Sequence, residues 1–358
     1  MRTKKLFSLI SILFLALLVS GCSIKFQGGD GGGKNNKGGV FVSGNKGRTW
    51  KHMVSVPTVN GKTESIGQVT VNKLVQDPSD PNAIYLPSRS NGMYYTYNIS
   101  KGWNKAEGLP NTRIDAVAIN PQSKCIIYAS ANNKLYKSTD CNRTWEAVYY
   151  DNSKKANIKG IAIDHYDPNR IFIGTTQGLL LKSEDGGNTW QRIKNIKNKI
   201  TELYVSPHDS RVMFATTRDK GTYRTQDGGE EWVSLEKNMK EFDNSTKVRD
   251  LYMPTSEKGL MFIATNYGLL KSNDFGDTWS SIELLTPKKR ATINSVAVNS
   301  KNLQEIYYVT KKTFYRSLDG GESWSSEALP TARPGQDLLI HPEKTNIIYL
   351  GIGPDPNN

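Results

Sequence analysis

Five aspartates recur along the chain at nearly regular intervals, and paired carboxylates can act as the general acid and base of a glycosidase. They are Asp140, Asp185, Asp227, Asp274 and Asp319. Two carboxylates that cleave one glycosidic bond must lie about 5–10 Å apart. Because each aspartate has the same place in its own copy of a repeated segment, we expect five separate turns. We therefore predict structural roles for them and name no catalytic residue.

Three histidines, His165, His208 and His341, could in principle bind a metal ion. They follow equivalent strands in different repeats, so we expect them to be far apart. The sequence also lacks a phosphate-binding loop, zinc-ligand spacing and a nucleophile elbow. We predict no metal and no cofactor, and we leave open that two loop carboxylates form a glycosidase pair.

Cys125 and Cys141 are two of the three cysteines in the chain. Cys125 opens a strand whose following turn lies near Asn132 and Asn133, and antiparallel pairing about that turn brings Cys141 within reach. In an oxidising compartment these residues can form a disulfide. We favour the disulfide over two free thiols.

Every tryptophan of the chain ends a copy of one short motif. Six copies are clear and occupy 43–50, 138–145, 183–190, 225–232, 272–279 and 317–324, and a degenerate seventh, NISKGW, occupies 98–103. Their tryptophans are Trp50, Trp103, Trp145, Trp190, Trp232, Trp279 and Trp324. A period near 45 residues is the size of one four-stranded propeller blade.

Three short apolar runs, which we name strands A, B and C, precede each motif, and a strand D follows it. At the N-terminus, 39–42 supplies a C strand without A or B, whereas 336–352 near the C-terminus supplies A and B alone. Sharing one blade between the two ends closes the ring and removes two open sheet edges. We therefore predict an all-β fold: one seven-bladed β-propeller of four-stranded antiparallel blades, residues 40–353, followed by a tail, 354–358.

The motif S-x-D-x-G-x-T-W resembles the Asp-box, or BNR, repeat of sialidases, sortilin-type receptors and photosystem II assembly factors. The resemblance implies that the box aspartates and tryptophans hold turns and strands together. The assembly-factor and sortilin types imply a binding or assembly scaffold without catalysis. A sialidase would need three arginines around the substrate carboxylate, and the 14 arginines show no recognisable triad.

The composition excludes several classes of protein. With 37% apolar residues in 358, the chain is not a collagen, a coiled coil or a polytopic membrane protein. The net charge of +13 favours acidic partners or anionic surfaces. Most of the excess falls in the B–C and D–A loops, which share one face. Candidate binding residues there are Arg89, Arg113, Lys134, Arg218, Lys220, Lys288, Lys289, Arg290, Lys311 and Lys312.

The N-terminal segment has the pattern of a targeting signal. Three early basic residues precede an apolar run at 6–19, which is too short to span a bilayer. The run ends in Val-Ser-Gly-Cys22, which resembles a lipobox; an ordinary secretory signal is the alternative. The resemblance implies a signal peptide at 1–21, lipidation of Cys22, a Gly-rich tether at 22–39 and attachment to the bacterial cell envelope on its extracytoplasmic side.

Two functions from different classes follow from these observations. Our main prediction is a monomeric, non-enzymatic scaffold, held at the membrane by its lipid, that binds a protein or polyanion rather than nucleic acid through the basic face. The alternative is a glycan-active propeller, either a sialidase-like hydrolase or a carbohydrate-binding module. Two acidic residues facing each other across the central mouth would favour the alternative, and a basic or apolar mouth would favour the scaffold.

Overall fold

The computed structural model describes residues 36–58, 61–290 and 292–355. Within these ranges the chain forms seven four-stranded antiparallel sheets and one two-stranded hairpin. The seven sheets are the blades of a β-propeller, which confirms the predicted fold class. Cys22, its proposed signal peptide and most of the tether lie outside the described residues.

Each complete blade takes its strands in the order A, B, C, D along the chain. In blades 1 to 7 the A strands are Val75–Gln76, Ala116–Asn120, Ile158–Ile163, Ile200–Ser206, Val248–Tyr252, Ser295–Val298 and Gly335–Ile340. The B strands are Ile84–Pro87, Ser123–Ala131, Ile171–Thr175, Asp209–Thr217, Met261–Thr265, Ile306–Val309 and Ile348–Ile352. The C strands are Met93–Thr96, Lys134–Ser138, Leu179–Ser183, Thr222–Thr225, Leu269–Ser272, Thr313–Ser317 and, in blade 7, Val40–Ser43. The D strands are Asn104–Lys105, Glu146–Tyr150, Gln191–Asn195, Val233–Ser234, Ser280–Ser281, Ser325–Ala328 and Lys51–His52.

Smaller elements occur in the connections between strands, both within and between blades. The hairpin pairs Ser55–Val56 with Glu64–Ser65 between blades 7 and 1. Short 3₁₀ helices occupy Ile99–Lys101 and Glu236–Met239. Within the described part of the chain, neither of these helices has the length and apolar character that a membrane span requires.

The hydrophobic core lies between neighbouring blades. One cluster packs Tyr85 and Met93 of blade 1 against Ile119 and Ile127 of blade 2. The B strands are the most completely buried, because each has a blade on both sides; all five residues of Ile171–Thr175 are buried. A strands of neighbouring blades contact one another, so they form the wall around the axis of the ring.

Both ends of the described chain meet in blade 7. Val40–Ser43 pairs antiparallel with Ile348–Ile352, with Phe41 opposite Leu350. Arg333 reinforces this closure, because its guanidinium donates to the carbonyl of Gly353 at 2.7 and 2.9 Å and to that of Gln68 at 3.2 Å. Arg333 is 2% exposed. One buried cation therefore joins blade 7 to the segment that enters blade 1.

The motif between strands C and D folds as a self-contained turn. In blade 3, Asp185 accepts hydrogen bonds from the backbone N–H and the hydroxyl of Thr189, at 2.9 and 2.7 Å. The amide of Gly187, at φ +95°, donates to Ser183 at 2.8 Å. A left-handed conformation at this position favours glycine. The turn thus uses Ser, Asp, Gly and Thr for one local hydrogen-bond network.

Cys125 in strand B of blade 2 forms a disulfide with Cys141, which lies in the motif after strand C. The backbone N–H of Cys141 also donates to the carbonyl of Cys125 at 3.2 Å. The cross-link therefore fixes the motif of blade 2 to strand B.

The closure by Arg333 gives a stability prediction. Replacing Arg333→Met leaves the carbonyl of the buried Gly353 without its donor and removes the link to Gln68, so we expect the free energy of unfolding to fall by about 2–4 kcal/mol. Urea denaturation measures this change. Arg218→Met is the control, because Arg218 is exposed and should change stability by no more than about 0.5 kcal/mol. Equal midpoints for the two variants would contradict the assigned role.

The disulfide gives a second stability prediction. The two cysteines are 16 residues apart, and closing a loop of this length stabilises a fold by about 3 kcal/mol. We expect the double variant Cys125→Ser/Cys141→Ser to lose about that amount in urea denaturation. Adding a reductant to the unmodified protein should produce the same loss. A reductant-insensitive protein would show that the cross-link does not stabilise the fold.

Candidate functional site

A cavity of about 650 Å³ lies on the axis of the propeller. Residues at or beside the A strand of every blade line it, so the cavity is the central channel of the ring. Arg89 and Arg113, two of the predicted binding residues, also line it. The site is thus built from seven equivalent positions rather than from one loop.

Strand register identifies two rings of equivalent residues around the channel. Four A strands carry an irregularity that inserts an extra residue opposite strand B, and such a bulge re-aims nearby side chains. The first ring comprises Asn72, Asp115, Lys159, Thr201, Arg249, Asn294 and Gln336. The second ring comprises Lys73, Ala116, Gly160, Glu202, Asp250, Ser295 and Asp337. Twelve of the fourteen positions are therefore polar or charged.

Three carboxylates of the second ring, which we name the acidic arc, are Glu202, Asp250 and Asp337. The Ser295 hydroxyl lies 2.7 Å from Asp250 Oδ2 and 3.1 Å from Asp337 Oδ1. These two carboxylate oxygens can therefore be no more than about 6 Å apart. Backbone N–H groups also bind the pair: Val296 donates to Asp250 at 3.0 Å and Leu74 to Asp337 at 2.6 Å.

Burial sets the protonation of this pair. Asp337 is 6% exposed, and burial, assisted by the charge of Asp250 and opposed by Lys73, raises the pKa of Asp337 to about 6. A protonated Asp337 also suits the hydrogen bonds, since one serine hydroxyl has one proton. Asp337 can donate to Ser295 while Ser295 donates to Asp250. The geometry therefore favours one carboxylic acid beside one carboxylate.

Lys73 connects opposite sides of the channel. Its ammonium group forms an ion pair with Glu202 and lies 3.8 Å from Asp250 Oδ1. Lys73 belongs to blade 1, whereas Glu202 and Asp250 belong to blades 4 and 5, so the contact crosses the axis. The Tyr204 hydroxyl donates to Glu202 and lies 3.4 Å from Asp250. Burial and the negative charge of Asp250 raise the pKa of Tyr204, which keeps the phenol neutral.

A second group of charges, which we name the basic arc, consists of Arg89, Arg113 and Lys159 on blades 1 to 3. Arg113 and Lys159 both form ion pairs with one carboxylate, Asp115. Arg89 donates to Gln336 at 2.9 Å. Burial lowers the pKa of Arg89 and of Lys159, and the neighbouring guanidinium of Arg113 lowers both further. Two of the three cations thus share one carboxylate, and the third, Arg89, contacts an uncharged amide.

The other residues of the predicted basic face lie away from the cavity. Lys134, Arg290, Lys311 and Lys312 are exposed. Four others pair with acidic neighbours: Arg218 with Asp219 at 3.9 Å, Lys220 with Glu236 at 3.3 Å, Lys288 with Glu283 at 2.8 Å and Lys289 with Asp243 at 2.8 Å. These ion pairs reduce the positive charge available to a partner.

The box aspartates do not contribute to the cavity lining. Hydrogen bonds from the hydroxyl and backbone of Thr144, and the corresponding groups in two other boxes, lower the pKa of Asp140, Asp185 and Asp319 to about 2. These three carboxylates are therefore ionised at neutral pH and accept hydrogen bonds within their own turns. In 36–58, 61–290 and 292–355, no three His, Cys, Asp or Glu side chains cluster as a metal site would require.

Sequence reasoning missed the acidic arc. A usable signal was present, since a polar or charged residue occurs just where each apolar A strand begins: Lys-Leu at 73–74, Glu-Leu at 202–203, Asp-Leu at 250–251 and Asp-Leu at 337–338. Three arginines, Arg89, Arg113 and Arg249, also line the cavity, but Arg249 belongs to blade 5 and donates to Asn266 at 3.1 Å. The channel therefore holds both carboxylates, which we expected of a glycan-active propeller, and cations, which we expected of a scaffold.

Glycan-cleaving enzymes are among the relatives. A xyloglucanase of Paenibacillus sp is 25% identical over 258 residues, which cover 65% of this chain and 22% of that enzyme. The GH74 enzyme of Niastella koreensis has a similar fold, with a TM-score of 0.63 at 17% identity over 80% of this chain and 51% of that one. This chain therefore spans about a fifth of the curated enzyme and half of the solved one.

These relatives correct two of our predictions. The expected non-catalytic scaffold with a binding role for the basic face, and the expectation that the chain is not an enzyme, are contradicted by the similarity to xyloglucanases. The physical reason is visible in the channel. The sequence analysis assigned charged residues to loops, which gave most weight to exposed lysines. The carboxylates that converge on the axis lie within strands instead.

Two family models match the repeats. Residues 178–267 match the sortilin, neurotensin receptor 3, model, and residues 33–211, half of the chain, match the photosynthesis system II assembly factor YCF48 model. The solved YCF48 of Cyanidioschyzon merolae has a TM-score of 0.61 at 14% identity and covers 81% of this chain and 97% of its own. The chain belongs to the BNR-type propeller family that the assembly factor YCF48 model describes.

Proposed function

We propose that this propeller is glycan-active and that its central channel hydrolyses a glycosidic bond. The observation that carries the proposal is the pairing of Asp250 and Asp337, from blades 5 and 7, within about 6 Å of each other through Ser295. Glycosidases that retain anomeric configuration use two carboxyl groups about 5–5.5 Å apart. The relatedness to xyloglucanases supports the same reaction class.

The two carboxyl groups have different environments, which assigns them different roles. Asp337 holds its proton up to a pH of about 6 and serves as the general acid for the leaving-group oxygen. Asp250, which accepts hydrogen bonds from Ser295, Val296 and Leu251, serves as the nucleophile at the anomeric carbon. Water then cleaves the glycosyl ester, and ionised Asp337 takes the proton from that water.

Other channel residues bind and position the sugar. Glu202 retains 27% side-chain exposure and Lys73 retains 31%, so both can reach hydroxyl groups of a bound glycan. Thr201, Asn294 and Gln336 offer uncharged donors and acceptors on the cavity wall. A few polar groups converging in a concave cavity are typical of a small-ligand site.

A hydrolysis assay tests the proposal. We expect the protein to release new reducing ends from a plant glycan such as xyloglucan, and Asp250→Asn and Asp337→Asn to lower kcat by at least about 100-fold, since each removes a reacting group. Asp219→Asn is the matched control, because Asp219 is an exposed loop carboxylate, 58% accessible. Binding of glycans without any new reducing ends would contradict hydrolysis and leave a carbohydrate-binding module. Absence of both would overturn the proposal.

The raised pKa of Asp337 predicts a pH dependence. The general acid must be protonated, so kcat should fall as the pH rises through about 6. Lys73→Met removes a positive charge that lowers this pKa, so the falling limb should move to higher pH. If kcat falls at the same pH in Lys73→Met as in the unmodified protein, Asp337 is not the group that titrates.

Unfolding measurements test the same pKa without a substrate. Because the folded pKa of Asp337 lies above its ordinary 3.8, the folded state binds the extra proton between about pH 3.8 and 6. The free energy of unfolding should therefore fall, relative to Asp337→Asn, as the pH rises across this window. A constant difference between the two proteins would contradict the assignment.

A further inference from the structure

Most charged residues that line the channel sort by blade into two groups, with Asp115 of blade 2 and Arg249 of blade 5 as the exceptions. The acidic arc comes from blades 4, 5 and 7, and the basic arc comes from blades 1, 2 and 3. Lys73 is the one cation of the second ring, and it is committed to Glu202 across the axis. A ligand in the channel therefore meets carboxylates on one side and cations on the other.

The basic arc has more positive charge than its own surroundings neutralise. Asp115, with a side-chain exposure of 1%, is shared between Arg113 and Lys159, and Arg89 contacts the uncharged Gln336. Two positive charges are thus left over inside a partly desolvated cavity, where electrostatic interactions are stronger than in bulk water. An incoming anionic group would relieve this excess.

The chemistry of the arc suits a carboxylate on a sugar. A guanidinium presents parallel N–H donors that match the two oxygens of a planar carboxylate. Asn72 holds Arg113 at 3.1 Å and donates its own amide to two backbone carbonyls. Gln336 accepts from Arg89 at 2.9 Å, and its amide N–H₂ group can donate to a neighbouring hydroxyl. The cavity of about 650 Å³ is in the range of small-ligand sites.

We propose that the basic arc is a subsite for the carboxylate of a uronic acid residue, so that the channel selects acidic glycans over neutral ones. The inference rests on the proposed function and adds a substrate class to it. Arg89 and Lys159 bind the carboxylate directly, while Arg113, held by Asp115 and Asn72, positions the arc. The reacting pair Asp250–Asp337 is separate from these residues.

Calorimetric titration of the full chain with a matched pair of ligands tests the inference. The probes are a glucuronic acid-bearing xylan oligosaccharide and the same oligosaccharide after chemical reduction of its carboxyl groups to alcohols. We expect the reduced, neutral form to bind at least about tenfold more weakly, because it lacks the anion that the arc accepts. Equal affinities would overturn the inference and leave the proposed glycan activity standing. Binding of neither probe, together with no hydrolysis of any glycan, would overturn both.

Variants of the basic arc test whether its residues cause the preference for the acidic oligosaccharide over the neutral one. Arg89→Met and Lys159→Met should each reduce the ratio between the two affinities to less than about threefold, whereas Lys159→Arg, which keeps the charge, should preserve it. Lys312→Met is the control, because Lys312 is exposed and far from the cavity lining. Thermal unfolding of each variant shows that it folds. An unchanged ratio in both Met variants, or stronger binding of a sulfated oligosaccharide than of the uronate, would overturn the subsite.

Discussion

The structure depends on the pairing of one N-terminal strand with the last strand of the chain. Val40–Ser43 completes a blade that Gly335–Ile340 and Ile348–Ile352 leave half-built. Without this pairing, two rows of backbone donors and acceptors would be open, and the A strands would not surround an axis. Arg333 adds a buried link to the same junction. The channel and its charges exist because the ring is closed.

Closure of the ring brings the polar residues at the start of the A strands together in one site. A polar residue at the start of one strand A would be an ordinary surface feature in an open sheet. Seven such residues around one axis form a ring in which Lys73 reaches Glu202 on the far side and Ser295 bridges Asp250 and Asp337. Desolvation then raises the pKa of Asp337 to about 6. The repeat thus supplies both the scaffold and the candidate site.

Membership of the assembly-factor family and relatedness to xyloglucanases are compatible, because function resides in sites and not in folds. The motif that identifies the family lies between strands C and D, where its aspartates satisfy local turns. The proposed chemistry lies on strand A, at the other edge of the blade. The two regions of a blade can therefore change independently, and similarity in the motif says little about the channel.

The number of blades, their four-stranded form and the shared seventh blade could be predicted from the sequence, because the motif recurs with a fixed period and apolar runs precede each copy. Local turn chemistry could be predicted too, since Ser, Asp, Gly and Thr act within eight residues of one another. The site could not be predicted, because its partners are up to 264 positions apart, as Lys73 and Asp337 are. Which charges meet depends on strand register and on the bulges that turn side chains toward the axis. Short-range patterns determine the ring, and only the closed ring decides which side chains share its centre.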